Sequence, residues 1–388
     1  MKKLLLVCLA VATLFAGARH LSPLPLPTLK VLSLDIYPCD EECLREHWKR
    51  GEYFSFLAHL TPDRAKEFQS EYTTLAAKLP LPKLFAPPKV TIVLIAKEYL
   101  RPIVTKSTKT LLAYLMEQEF DFTLKTRYID RESDYRVGME PGAINVIFAT
   151  FNDKESLASL EPLGTVYIPT INKRFLTQAH DMLYFGGIDY YAQLQALHDR
   201  FGGDTALFYL EDSPLSQLLT SYYQQLEPQA ILYGLKKSDK NAAHYIRKNY
   251  SLRQRATLFN TPLVKTAMIV SQMNYYNITP KAKLSTQINL SPKLFALLQP
   301  KARKGFIFAN ALTHIPASIE ANAALLDVEN SYDWLGYALF VGIDNIVASR
   351  GMRKVSSESF VDNQIRYDTQ LLGMDAYGLR PIEGYESF

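Results

Sequence analysis

The sequence predicts an α/β protein with doubly wound sheets, repeated in two lobes behind a small helical segment. Three observations carry this. Four apolar runs, INVIFAT (144–150), GTVYIPT (164–170), MLYFGG (182–187) and TALFYLED (205–212), are short, rich in Val, Ile, Tyr and Phe, and do not alternate. Strands covered on both faces have that composition, as in a parallel sheet. Between the last two runs, DYYAQLQALHDRFGG offers Asp189 as an N-cap, apolar Leu194, Leu197 and Phe201 at helical spacing, and Gly202 as a stop. Strand and helix alternate in one group over 89–187 and in another over 204–311, which suggests two similar lobes.

The chain has 388 residues, room for two domains of ordinary size. Its 48% hydrophobic and 21% charged content is globular and fits neither disorder nor a multi-span membrane protein. The formal net charge of +4 is too even to imply nucleic acid, and Lys2 and Lys3 lie in a segment expected to be removed.

That segment is MKKLLLVCLAVATLFAGARH. Two lysines precede an apolar run from Leu4 to Phe15, and Ala16-Gly17-Ala18 supplies an A-x-A cleavage site, the plan of a secretory signal peptide. An uncleaved anchor is the alternative, but the run is short against the ~20 residues of a span. Val7 precedes Cys8 where lipid attachment wants a small residue. The expectation is cleavage after Ala18 and a mature chain in the periplasm of a Gram-negative source. No other stretch is apolar and long enough to span a membrane.

Cleavage leaves Cys39 and Cys43. An even count in an oxidising compartment favours a disulfide. Free or redox-active thiols and a metal pair with His47 are the alternatives, and no second Cys/His pair follows. A regular helix would strain so short a bridge, so the chain is expected to turn at Pro38 and enter a helix only past Cys43.

In chain order, SPLPLP (22–27) is a stiff leader and Leu29–Ile36 reads as a short strand. ECLREHWKRGEYFSFLAHL and TPDRAKEFQSEYTTLAAKL read as a helical hairpin. The second piece opens on Thr61-Pro62-Asp63 and carries Ala65, Phe68, Tyr72, Leu75 and Leu79 on one face. Pro80, Pro82, Pro87 and Pro88 mark a linker. The boundaries are 1–18 signal peptide, 19–88 helical lead-in with linker, and 89–388 α/β body.

The body opens with the strand KVTIVLIAK (89–97), the loop EYLRPIVT and a helix over Ser107–Phe120. FTLKTRYID (122–130) alternates more and belongs nearer an edge. After Asp212 come the helix PLSQLLTSYYQQL, the strand QAILYGLK, the short helix NAAHYIRKN, the strand ATLFNTP, the helix LVKTAMIVSQMNYYN, the strand KLSTQIN, the helix SPKLFALLQ and the strand GFIFANA. IEANAALLDVENSYDWLGYALFVGIDNIVAS carries one or two long helices, and the tail after Phe360 reads as two or three antiparallel strands.

Three turns carry a resemblance: Ala149-Thr150-Phe151-Asn152, Ile168-Pro169-Thr170-Ile171-Asn172 and Phe185-Gly186-Gly187, followed by the helix IDYYAQLQAL, by ALFYLEDSPLSQLL and by the late helix YDWLGYALFVGIDNIVAS. In order and spacing over roughly 89–385 they resemble the type I periplasmic-binding-protein fold. The resemblance implies two α/β lobes facing each other across a cleft. It also implies an exported protein that binds a small ligand, with no enzymatic activity and no cofactor. The chain departs from the ligand-binding members at Phe151, bulky where small residues let a ligand approach. The same fold occurs in outer-membrane lipoproteins that activate peptidoglycan synthases by protein contact. Their helical lead-in is shared here; their lipobox is not.

G-x-S-x-G, H-E-x-x-H, G-x-G-x-x-G and G-K-[ST] are absent, and no metal site is expected. The carboxyl ends of the strands supply the candidate ligand-binding residues: Tyr99, Arg101, Thr150, Asn152, Thr170, Asn172, Glu211 and Asp212, with Lys97 beside them. Thr and Asn there hold a carboxylate or amide by hydrogen bonds, and an acidic pair holds an amine. The competing assignment is that these residues cap helices, with Asn152 or Asp153 capping the segment after 153 and Ser213 the next. The expected partner is a small polar ligand of amino acid, peptide or saccharide type. The alternative is an envelope protein, with the chain acting as scaffold or regulator of a cell-envelope assembly such as peptidoglycan synthesis.

Overall fold

The computed structural model describes residues 29, 31–33, 37–81, 89–118, 120–312, 315–328, 332–375 and 378–382. The expected signal peptide, the SPLPLP leader and Pro82, Pro87 and Pro88 lie outside the described residues. The chain divides into two compact units, Met1–Pro88 and Lys89–Phe388.

In the first unit, α1 (Glu41–Arg50) begins behind Asp40, whose carboxylate accepts the Cys43 amide at 3.0 Å. Glu41 and Glu42 in its first turn and Lys49 and Arg50 in its last complement the helix dipole. Gly51, at φ 73°, ends it in the left-handed region that glycine takes without strain. Cys39 and Cys43 are disulfide-bonded, with Cα atoms 5.4 Å apart. The helix therefore starts before Cys43, not past it: the bridge ties the residue ahead of the cap to the first turn, where amides have no helical partner to lose. The stretch read as one helix is broken at Gly51 into α1 and α2 (Tyr53–His59). Thr61-Pro62-Asp63 opens only a series of tight turns, with Ala65 N–H on Thr61 O, and α3 begins at Gln69 and ends at Ala76. No strand forms at Leu29 or over 31–33. Leu44, Phe56, Ala65, Phe68, Tyr72 and Leu75 form this unit's core.

The second unit contains two seven-stranded sheets. The first lobe runs β1 (Lys89–Lys97), α4 (Arg101–Leu115), β2 (Asp121–Ile129), α5 (Tyr135–Gly138), β3 (Ile144–Phe148), α6 (Lys154–Ala158), β4 (Val166–Ile168) and β5 (Leu183–Phe185). The second runs α7 (Tyr190–Phe201), β6 (Thr205–Leu210), α8 (Pro214–Leu226), β7 (Ile231–Leu235), α9 (Ala243–Ile246), β8 (Ala256–Asn260), α10 (Leu263–Tyr275), β9 (Ala282–Thr286), α11 (Pro292–Leu297), α12 (Pro300–Arg303) and β10 (Phe306–Asn310). The chain then returns to the first lobe with α13 (Ala317–Leu325), α14 (Trp334–Ser349), β11 (Ser359–Val361) and β12 (Gln364–Arg366). It ends in the second with β13 (Gln370–Met374) and β14 (Leu379–Pro381).

The strand orders are β11-β12-β5-β4-β3-β1-β2 and β14-β13-β10-β9-β8-β6-β7, the same arrangement twice. Strands β1–β5 and β6–β10 pair parallel, as their continuous apolar runs require, and β3, β8, β9 and β10 are buried throughout. Alternate residues of one strand feed opposite cores: Ile92 and Leu94 face one side of the first sheet, Val93 and Ile95 the other. The chain passes between lobes three times, after β5, after β10 and after β12. The buried Asp344 of α14 anchors the return, accepting Tyr114 Oη at 2.9 Å and Ser356 N–H at 2.7 Å.

Two boundaries differ from expectation. The helix after β1 starts at Arg101, because Pro102 in its first turn presets φ rather than breaking the helix, and it stops at Leu115. The tail forms four strands, not two or three, and they are shared between the sheets. β12 aligns parallel with β5 through Gln364 and Phe185, and β13 runs antiparallel to β10.

Candidate functional site

A cavity of about 290 Å³ lies between the lobes at the carboxyl ends of the first sheet's strands. The first lobe contributes Leu100 and Ile103 at the start of α4, Phe148 at the end of β3 with Ala149–Phe151 behind it, and Thr170–Asn172 and Phe175 after β4. The second contributes Pro214, Leu215 and Leu218 from α8. Ile188 and Tyr190 come from the first crossing, and Trp334 and Leu335 from the start of α14. The wall is overwhelmingly apolar. Phe151 meets Phe175 edge-on at 5.1 Å.

Of the residues expected to bind ligand, Thr150, Thr170 and Asn172 line this cavity; Tyr99, Arg101, Asn152, Glu211 and Asp212 do not. The three that line it have intramolecular partners. Thr150 donates its amide and hydroxyl to Asp153 Oδ2 at 2.7 and 2.9 Å. Thr170 Oγ1 donates to Ala149 O at 2.7 Å, tying two turns together. Asn172 donates to Gly187 O at 3.0 Å and accepts the Arg174 amide at 3.1 Å. Outside it, Arg101 pairs with Glu98 at 2.7 Å and lies over the Tyr128 ring at 4.0 Å. Asp212 accepts the Lys237 amide at 3.0 Å. Tyr99, Asn152 and Glu211 are exposed.

Asp153, not Asn152, organises the turn after β3. Besides Thr150 it accepts Lys97 Nζ at 2.6 Å and Tyr135 Oη at 3.2 Å, and it is 1% exposed. Burial alone would raise its pKa, but the bond from Lys97, those from Thr150 and the Lys97 charge outweigh burial and hold the carboxyl below its ordinary value. Lys97 also reaches Glu132 at 2.9 Å. Its own burial works against the charge, and the two carboxylates more than compensate, raising its pKa.

The first lobe meets the second through Phe175 and Tyr222, with ring planes 10° apart and centroids separated by 6.5 Å. Tyr222 meets Tyr191 edge-on at 5.6 Å, and the Arg174 guanidinium lies 5.1 Å from the Tyr191 ring. A wider groove of about 900 Å³ runs past Asn172, α7 and the crossing after β12. Its charges largely answer one another, Lys173 to Asp362 at 2.8 Å and Arg174 to Asp189. The apolar cavity at the strand ends is the better ligand site, since α/β sheets place ligands there and apolar walls exclude water.

The sequence reading missed Phe148, Phe175, Leu215, Leu218 and Trp334. One signal existed: Leu215 and Leu218, three apart in the first turn of a helix that follows a strand end, are placed to face that edge.

Two α/β lobes of identical strand order, three crossings and a cavity between them make this the type I periplasmic-binding-protein fold. No protein-family model matches the sequence, and no curated protein matches it. Among solved structures, an amino acid ABC-transporter substrate-binding protein from Pseudomonas fluorescens aligns at TM-score 0.54 and 12% identity, over 78% of this chain and 97% of that one. A substrate-binding protein of an ABC transporter from Aeropyrum pernix aligns at 0.53 and 11%, over 76% and 95%. The branched-chain amino acid binding protein LivJ from Streptococcus pneumoniae, in complex with isoleucine, aligns at 0.50 and 9%, over 76% and 99%. At these identities the likeness shows the fold. Among the described residues no helix is long and apolar enough to cross a membrane.

Proposed function

We propose that this chain is a non-enzymatic, exported binding protein of the periplasm that holds a small ligand with an apolar body between its lobes. The observation that carries this reading is the composition of the interlobe cavity. Aromatic and aliphatic side chains from both lobes wall it, and its few polar groups are engaged within the protein. A carboxylate or amine buried there would lose water and gain few partners, whereas an apolar group gains about 25 cal/mol for each Å² removed from water. The volume sits at the lower end of the roughly 300–1,000 Å³ usual for small-molecule sites, so the ligand is compact. Amino acid binding by proteins of this fold supports a ligand of similar size, here with the polar contacts reduced. Thermal-shift measurements with paired ligands, leucine or phenylalanine against serine or glutamate, test the reading. Saturation at a hundred times the dissociation constant adds about 2.7 kcal/mol of stability.

A second reading, a scaffold or regulator of an envelope assembly acting through protein contact, draws on the cavity mouth. Ile103, Phe151 and Leu215 are 46%, 37% and 42% exposed there, an apolar rim that a partner's side chain would cover. A partner whose binding is abolished by Leu215→Asp, with no small molecule found for the cavity, would favour it.

A further inference from the structure

We propose that Cys39, Cys43 and His47 form a redox-gated metal site, which takes a zinc-like divalent cation once the disulfide is reduced. The three residues recur every four positions at the start of α1, so one turn of helix separates Cys43 from His47 on the same face. Their ligand atoms all lie within 4.8 Å of one another. In a tetrahedral zinc site, bonds of about 2.3 Å to sulfur and 2.0–2.1 Å to nitrogen put ligand atoms roughly 3.5–4 Å apart. Small side-chain rotations close that gap.

The surroundings hold each ligand without help from the bridge. Asp40 accepts the Cys43 amide at 3.0 Å, and Arg64 donates to the Cys39 carbonyl, so both backbones stay placed when the sulfurs part. Glu52 Oε2 sits 2.6 Å from His47 Nδ1. A carboxylate in that position keeps the proton on Nδ1 and leaves the Nε2 lone pair free for a cation, the arrangement found behind metal-bound histidines. The His59 ring stacks parallel to that of His47, at 5.9 Å, and steadies it. Water fills the fourth position.

The exchange balances. A dithiol reductant gives two electrons and two protons to the disulfide and becomes a disulfide itself. The cation then displaces the two thiol protons and binds both thiolates. The oxidised pair has no thiolate to offer, which is the gate.

Cobalt(II) is the probe. The full chain carrying Cys8→Ser, so that Cys39 and Cys43 are its sole thiols, is reduced with a phosphine, freed of it and titrated without oxygen. The expected result is the thiolate-to-cobalt and d–d absorption of a tetrahedral site, saturating at one equivalent and displaced by zinc. The oxidised protein shows neither band. His47→Ala weakens binding about tenfold or more, and Glu52→Gln weakens it by less than His47→Ala does. Should reduction melt α1, cobalt must restore its circular dichroism. Absence of the bands from reduced protein, folded or melted, overturns the proposal, as does a His47→Ala variant that binds cobalt like its parent.

Discussion

Phe175 of the first lobe and Tyr222 of the second form a parallel aromatic pair across the lobes, planes 10° apart and centroids 6.5 Å apart. Phe175 also forms part of the cavity wall. One residue therefore couples the position of the lobes to the shape of the space between them.

An aromatic pair at this separation contributes about 0.5–1.5 kcal/mol beyond its buried area. A double-mutant cycle with Phe175→Ala and Tyr222→Ala, read by denaturant unfolding, should return a coupling of that size. Solution scattering of Tyr222→Ala without ligand should show a larger radius of gyration. A coupling of zero with unchanged scattering would show that the stack does not hold the lobes.

Of Asn152 and Asp153, the two cap candidates after β3, Asp153 is the structural centre of the turn. Asp153→Ala strands Lys97, which is 13% exposed, beside Glu132 alone, and also removes the partners of Thr150 and Tyr135. Breaking a buried pair in this way costs about 3–5 kcal/mol. Asn152→Ala, at an exposed position, should change stability by less than about 0.5 kcal/mol. Because the folded carboxyl titrates below its ordinary value, its contribution is complete above that value and is lost as pH falls through the folded one. The wild type should therefore lose stability in acid more steeply than Asp153→Asn; parallel acid curves would count against this role.

Lys283 is a buried lysine in β9, 5% exposed, with its Nζ on Ala302 O at 2.8 Å. Burial pushes its pKa from the ordinary 10.5 down to about 8. Between those values the unfolded chain holds the proton and the folded chain does not, so stability rises with pH across that window. Below pH 8 the full penalty stands, about 3 kcal/mol at 1.36 kcal/mol per unit. Lys283→Met should raise stability by about 1–3 kcal/mol at pH 7, less than the whole penalty because the bond to Ala302 is lost. That gain should shrink toward pH 10.5. A variant no more stable than wild type at pH 7 would refute the argument.

The strands were legible because runs such as INVIFAT have no alternation to mistake, and β1 coincides with KVTIVLIAK residue for residue. Helix starts were less so. Pro102 looked like a loop residue although proline suits a first turn, and Gly51 looked tolerable inside a helix although its positive φ ends one. The tail misled because Tyr367, Asp368 and Thr369, a crossing of three residues, divide it between two sheets. The cavity was hardest. Leu215 and Leu218 carry the spacing of any core-facing helix, and Phe148 and Phe175 the character of any core residue. Their role comes from the opposite lobe, which no local pattern encodes. The polar strand ends drew attention instead, and Thr150, Thr170 and Asn172 serve the turns they sit in.

The central claim is that the interlobe cavity binds a compact ligand through its apolar body, and Leu218→Trp tests it most directly. The larger side chain fills the cavity from α8, and Leu218 takes no part in the wall of the groove along α7. Calorimetric titration of the tightest ligand from the paired panel should show a negative heat-capacity change for wild type, the mark of apolar burial, and no binding to Leu218→Trp. Undiminished binding to Leu218→Trp, or a panel in which only serine and glutamate bind, would contradict it.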